Sequence, residues 1–298
     1  MNELLYHYAT GASLLGMLKD YTKDTPNIKL WASHYMYMND PYEYEIGEQL
    51  CTEIIDRIES DLKIPDEYRT KSFVNTPQYI NAVKSYRRTI DGQSICPYLI
   101  SMSKTFDSLH MWNMYASNGN GLALGFNRLK LLGVQILPMD CHYFDNNSQY
   151  NKEIIDKLEP DIKELYLELD QEHPLDNIQE SLKNGDHSLF YDRLHTIYTL
   201  ICVFIGIRIK DIAYKLENEV RITTPHTPEE PTILFRERNG IIIPYIEYPI
   251  PFDCVENIVV GPTADFDRVK ESILIFLNSK GIHWNEDNII QSKVPYRK

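Results

Sequence analysis

The chain has 298 residues, 43% hydrophobic and 24% charged, a composition that suits a soluble globular protein with a sizeable core. Its formal charge of −13 argues against a broad nucleic-acid footprint, which draws most of its affinity from Lys and Arg neutralising phosphates; a local basic groove stays open. The five cysteines (Cys51, Cys96, Cys141, Cys202, Cys254) are scattered without a C-x-x-C pair, which suits buried thiols in a reducing cytoplasm and disfavours a disulfide frame or a zinc site.

From the N-terminus, no basic stretch leads into an apolar run with a cleavage site, so no signal peptide is expected. Leu4 to Ala9 is short, apolar and aromatic and reads as a strand; Ser13 to Lys19 then sets Leu14, Leu15 and Leu18 on one helical face. Asn27 to Ser33 alternates as a half-buried strand, and Pro41 opens a helix reaching about Leu62. A further helix is expected over 78–89. Ser94 to Ser103 reads as a central strand, Asp107 or Ser108 as the cap of a short helix holding HMWNMYA, and Asn118 to Gly121 as a turn into a strand over Leu122 to Phe126. The acidic, helical segment around 145–185 reads as a solvated insertion, broken near Pro174. Asp186 to Tyr214 reads as one long helix; its apolar part, Thr196 to Ile209, is too short for a membrane span and is assigned to the core. Strands follow at 217–224, 232–237, 240–248 and 255–262, then a helix over Asp265 to Lys280 closed by Gly281, and a last strand over 288–293. With no repeat or linker, these elements predict one α+β domain over 1–298, in the cytoplasm and off the membrane.

No phosphate-binding P-loop, nucleophile elbow, Rossmann fingerprint or zinc-protease helix is present. The candidate chemistry is a dispersed set of polar and aromatic residues, each with two readings. His7, mid-strand, is either a satisfied core histidine or a groove residue donating to a ribose hydroxyl. Asn39 and Asp40, before Pro41, either cap a helix or line a site. Trp112 and Tyr115 share a helix face and either fill the core or stack on a flat ligand. Glu217, Glu219 and Arg221 alternate with Asn218 and Val220, so a strand there places three charges on one face, either an edge facing solvent or the floor of a cleft.

In order, Leu5-Tyr6-His7-Tyr8-Ala9-Thr10, Asn39-Asp40-Pro41-Tyr42-Glu43, Met111-Trp112-Asn113-Met114-Tyr115, Gly119 to Phe126, Glu217 to Arg221 and Glu256 to Pro262 resemble the motifs of a mostly bacterial family of unknown function. The chain departs from that pattern by placing Ala9 before the threonine and Val220 where an aromatic is usual. The opening strand and helix also resemble the start of the ADP-ribosyltransferase fold, including DNA-modifying toxins of toxin–antitoxin systems. This resemblance implies an ADP-ribosyltransferase-like core of mixed or antiparallel sheet with helical insertions, acting on NAD without a metal. It further implies that His7, Tyr8, Thr10 and Arg221 hold NAD, that Tyr115 or Ser103 lines its pocket, and that Asn39, Asp40 and Trp112 contact substrate. Glu219 becomes the catalytic carboxylate and Glu217 positions the acceptor nucleophile. The expected function is an NAD-dependent ADP-ribosyltransferase or NAD glycohydrolase in anti-phage defence or a toxin system. Its partners would be a nucleic-acid or protein acceptor and an antitoxin, sensor or phage protein. The alternatives are a non-catalytic module sensing a nucleotide or phage component and, third, a metal-dependent nuclease using Asp40 and Glu43.

Overall fold

The computed structural model describes residues 3–40, 43–74, 96–145, 150–172, 205–226, 233–238 and 240–296, with 179–180, 183–184, 189–190, 193, 197–198 and 201–202 as isolated pieces. The fold is mixed α+β, built on an open, mostly antiparallel sheet. Its first half comprises β1 (Leu4–Ala9), α1 (Gly11–Met17), β2 (Asn27–His34), α2 (Glu43–Asp61), α3 (Thr70–Val74), β3 (Cys96–Ser103), α4 (Leu109–Tyr115), β4 (Leu122–Asn127), α5 (Arg128–Gly133), β5 (Met139–Asp140), β6 (His142–Phe144) and α6 (Tyr150–Glu172). The second half supplies β7 (Ile209–Asp211), β8 (Glu219–His226), β9 (Leu234–Arg238), β10 (Ile241–Pro251), β11 (Val255–Val260), α7 (Phe266–Ser279) and β12 (Ile289–Gln291).

Among the described residues the main sheet has ten strands, eight of them in the order β12-β11-β4-β1-β3-β2-β10-β9, with β8 and β5 branching from β3. Only β11 and β12 run parallel within it, while β6 and β7 form a separate parallel pair. Strand alternation divides the side chains between the two faces. Leu5 and Ala9 of β1 join a large core with Leu14 of α1, Leu18 just past its end, Ile28 and Leu30 of β2 and Ile273 and Leu277 of α7. Tyr6 and Tyr8 point the other way, into a smaller core under Met111, Trp112 and Ala116 of α4 and the residue after it.

The sheet forks at β3. One edge of β3 carries β8 along its whole length, from Cys96↔His226 to Ser103↔Glu219. The other edge is shared: β2 pairs at Tyr98 and Leu99, whereas β1 pairs only at Ser103. Backbone groups between those two contacts need other partners, and the Ser101 carbonyl finds one in a side chain of β1.

Three expectations are corrected. The segment 186–214 is not one helix: a 3-10 turn at Gly206–Arg208 is followed by β7 and a second 3-10 turn over Ile212–Glu217. Just before β7, Gly206 lies against Gly47 of α2 so closely that a Cβ on Gly47 would overlap the Gly206 carbonyl. Glu217 is not in a strand, because Asn218 takes a left-handed conformation (φ 43°) and β8 starts at Glu219. The acidic segment is not merely solvated: α6 buries Ile154, Ile155, Leu158, Ile162 and Tyr166 against Leu50, Ile54 and Ile58 of α2, forming a second core with Ile197, Tyr198, Ile201 and Cys202. At Glu59, inside that core, the carboxylate accepts from Thr70 N–H (2.9 Å), Thr70 Oγ1 (2.7 Å) and Tyr166 Oη (3.1 Å). The helix expected over 78–89 and the break near Pro174 lie outside the described residues. No helix among the described residues is long and apolar enough to cross a membrane.

Candidate functional site

At the fork lies a cleft of about 730 Å³, within the range usual for small-molecule sites. His7 lines it, half-buried, with Nδ1 3.0 Å from the Ser101 carbonyl oxygen. A carbonyl only accepts, so the Nδ1 proton is assigned by that contact and Nε2 carries the lone pair. Burial lowers the His7 pKa, the Ser101 contact opposes this, and the nearby Arg236 charge lowers it further, so the ring is neutral. A neutral His7 therefore offers a ligand an acceptor at Nε2, where the sequence suggested a donor. Thr10 lies one residue past β1 and N-caps α1, its Oγ1 accepting from Ser13 N–H at 3.0 Å.

Two buried carboxylates and two buried cations form the floor. Lys210 of β7 donates to Glu217 Oε2 (2.7 Å) and Glu219 Oε2 (2.8 Å), and Arg221 forks onto Glu219 through Nε (3.0 Å) and Nη2 (2.9 Å). Burial would raise the Glu219 pKa, but Arg221 and Lys210 outweigh it and hold the carboxyl down at about 2. The Glu219 backbone N–H donates to Tyr143 Oη at 2.6 Å, fixing the start of β8. Tyr115, at the end of α4, donates to Glu217 Oε1 (2.5 Å) and accepts from Asn39 Nδ2 (2.7 Å). Burial and the Glu217 charge both raise the Tyr115 pKa, keeping it a neutral donor. After α4 the chain reverses through Ser117, Asn118 and Gly119, at φ 50°, 53° and 82°, and the first two face the cleft.

Of the residues named from sequence, the structure brings His7, Tyr8, Thr10, Asn39, Tyr115, Glu217 and Glu219 to the cleft. The other four lie elsewhere. Arg221 is 0% exposed, gripping Glu219 and the Ile207 carbonyl, so it orients a carboxylate and does not reach a ligand. Trp112 is 0% exposed, packs edge-on against Tyr8 at 4.9 Å and donates to Asp107 Oδ1, which makes it core. Ser103 is also fully buried and donates to the Glu217 carbonyl at 2.6 Å; Ser101, two residues earlier on the same face of β3, lines the cleft in its place. Asp40 is buried off the cleft, and the Glu43 side chain lies outside the described residues. Tyr8 borders the cleft, but its hydroxyl donates to the Thr105 carbonyl and accepts from Ser108 N–H, so its polar end serves the start of α4.

Among the lining residues that motif order does not reach are Trp31, Ser101, Lys210 and Arg236. A signal existed for Trp31, because alternation in NIKLWAS puts Trp31 and Ser33 opposite Leu30 and Ala32. Lys210 had none, since the segment reads as helix. Among the described residues, no group of three or more His, Cys, Asp or Glu is placed to hold a metal ion.

The fold and site together define a mixed α+β protein whose forked, mostly antiparallel sheet holds a polar and aromatic cleft over a buried, charge-balanced floor. Within it, residues 111–222 match a family described as "Protein of unknown function (DUF2971)". That match runs from α4 into β8, so it contains Tyr115, Glu217, Glu219 and Lys210 but not His7. No curated protein and no solved structure matches the chain.

Proposed function

We propose that the cleft binds NAD and cleaves its nicotinamide–ribose bond, as an ADP-ribosyltransferase or NAD glycohydrolase on an ADP-ribosyltransferase-like fold. The observation that supports this most is the convergence of His7, Tyr115 and Glu219, which are far apart in sequence, on one cleft at the fork of the sheet. In this mechanism His7 Nε2 accepts a hydrogen bond from a ribose hydroxyl and Trp31 and Tyr37 offer faces to a ring. The C1′–N bond breaks with its electron pair leaving on nicotinamide, and an oxocarbenium-like cation develops at C1′. Glu219, ionised far below neutral pH and held by Arg221 and Lys210, stabilises that cation. Water or an acceptor hydroxyl or amine then bonds to C1′ and loses its proton to solvent, with Glu217 positioning it. The role in defence or a toxin system rests on the motif resemblance alone.

The experiment is incubation of purified protein with NAD and chromatographic detection of nicotinamide. Release by the wild type that is lost in Glu219→Gln is expected; no release with nucleic-acid and protein acceptors present refutes the catalytic assignment.

One observation favours a second reading, a module that binds a nucleotide or phage component without cleaving it. Lys210 and Arg221 balance the charges of Glu217 and Glu219, so the floor lacks the net negative charge that best stabilises a cation. Under it, Glu219→Gln retains biological activity while substitution of Tyr37 or Trp31 abolishes it.

A further inference from the structure

Another part of the cleft lining, on β2, β3 and β9, is basic and short of partners. Arg236, on β9, is half-buried, and among the described residues it has no carboxylate within 4.0 Å. Its Nη2 donates to Ser33 Oγ at 2.7 Å, and its Cζ lies 5.5 Å from the Trp31 ring centroid and 5.7 Å from that of Tyr245. The guanidinium is thus held in place by a serine and two aromatic faces, with nothing to neutralise it. Arg238, two residues on and exposed, adds a second cation; the exposed Glu237 between them also lines the cleft, but its Oε1 accepts from Gly240 N–H and it makes no ion pair with Arg236.

Next to Arg236, the donors are unspent. Arg236 Nε, Trp31 Nε1 and Ser101 Oγ are all buried without a hydrogen-bond partner among the described residues, and all three residues line the same cleft. An unmet buried polar group costs about 1–3 kcal/mol in general, so three of them around one cavity need a reason. All three can donate, and only Ser101 can also accept, so the group they suit is rich in acceptors and negatively charged. Geometry adds the second half: His7, close enough to Arg236 to feel its charge, presents an acceptor that suits a sugar hydroxyl.

We infer that the Trp31–Ser101–Arg236 wall is a phosphate subsite, and that the cleft takes a phosphorylated sugar ligand of the nucleoside diphosphate class in preference to a neutral nucleoside. The anion site stands on the wall alone; its assignment to the diphosphate of NAD rests on the proposed function. A neutral nucleoside leaves the half-buried guanidinium with no counter-charge. A diphosphate satisfies it bidentately, with the Trp31 and Ser101 donors closing on the remaining oxygens.

The test is calorimetric titration of the full chain with ADP, adenosine and inorganic pyrophosphate. For the wild type, ADP is expected to bind at least about 10-fold more tightly than adenosine, with pyrophosphate displacing ADP and leaving adenosine bound. Arg236→Gln should erase the ADP advantage, and Arg236→Lys should restore part of it. Pyrophosphate competition in the wild type keeps the test decisive if Arg236→Gln fails to fold. Equal binding of ADP and adenosine, or no competition by pyrophosphate, overturns the subsite. Selective ADP binding without nicotinamide release from NAD leaves the subsite standing and removes the glycosidic chemistry. Nicotinamide release with undiminished NAD affinity in Arg236→Gln does the reverse.

Discussion

Replacing Glu219 with Gln removes the carboxylate that Lys210 and Arg221 share, and its consequence for stability carries a pH signature. Glu219 titrates at about 2 against an ordinary value of 4.5, a gap worth about 3 kcal/mol of folding free energy. The folded-state value is the depressed one, so this contribution is complete above the unfolded value, near 4.5, and is lost as pH falls toward 2. About 1 kcal/mol of it should be gone by pH 3.5. Gln keeps the shape and one acceptor but has no proton to gain, and it leaves Arg221, 0% exposed, without its charged partner. Breaking a buried pair this way costs about 3–5 kcal/mol. Urea unfolding of wild type and Glu219→Gln between pH 7 and 3.5 should show a stability gap that is constant from pH 7 to about 5.5 and then narrows. A gap that stays flat to pH 3.5, or a variant as stable as the wild type at pH 7, refutes the account of the floor.

Tyr115→Phe removes the donor to Glu217 Oε1 and the acceptor for Asn39, and should cost about 1–3 kcal/mol in urea unfolding because Glu217 loses a buried partner; a neutral change would show that the contact is not part of the site. His7 should stay neutral as pH falls through 6.5, because burial lowers its pKa, and its imidazole NMR shifts report this directly; a midpoint at or above 6.5 contradicts the neutral acceptor assigned to Nε2. Gly47→Ala should destabilise by about 1–3 kcal/mol, since its methyl would overlap the Gly206 carbonyl, and thermal unfolding with no shift would deny that close approach.

The strands were legible because alternation is a direct consequence of pleating. Leu4–Ala9 matches its expected bounds, and the chain's late strands at β10 and β11 fall within a few residues of theirs. Helix ends were equally readable: of the two caps expected for α4, Ser108 accepts from Met111 N–H, and Gly281, at φ 74°, closes α7 as expected. The breakdown came between 186 and 217, where an apolar run has the composition of a helix but closes on Gly206 and supplies a short strand. That error concealed Lys210, whose partners Glu217 and Glu219 lie seven and nine residues further on and are not signalled by any local pattern.

For the cleft, order along the chain identified the residues at its ends and misjudged those beneath it. Trp112 and Arg221 carry large or charged side chains that suggest ligand contact, yet one is core and the other is spent on Glu219. Ser103 and Ser101 differ by one strand repeat, and only the fork of β1 and β2 away from β3 determines which of them is open. Arg236 lies on β9, reached through β10, so its approach to His7 is a product of topology that no spacing announces.

The most direct test of a nucleotide-cleaving cleft is a crystal structure with an NAD analogue whose nicotinamide–ribose bond cannot break. The account predicts the ribose beside His7 Nε2, its reacting carbon facing Glu219, and the diphosphate on Arg236. An analogue bound anywhere else on the molecule, or bound in the cleft with its reacting carbon turned away from Glu217 and Glu219, contradicts it.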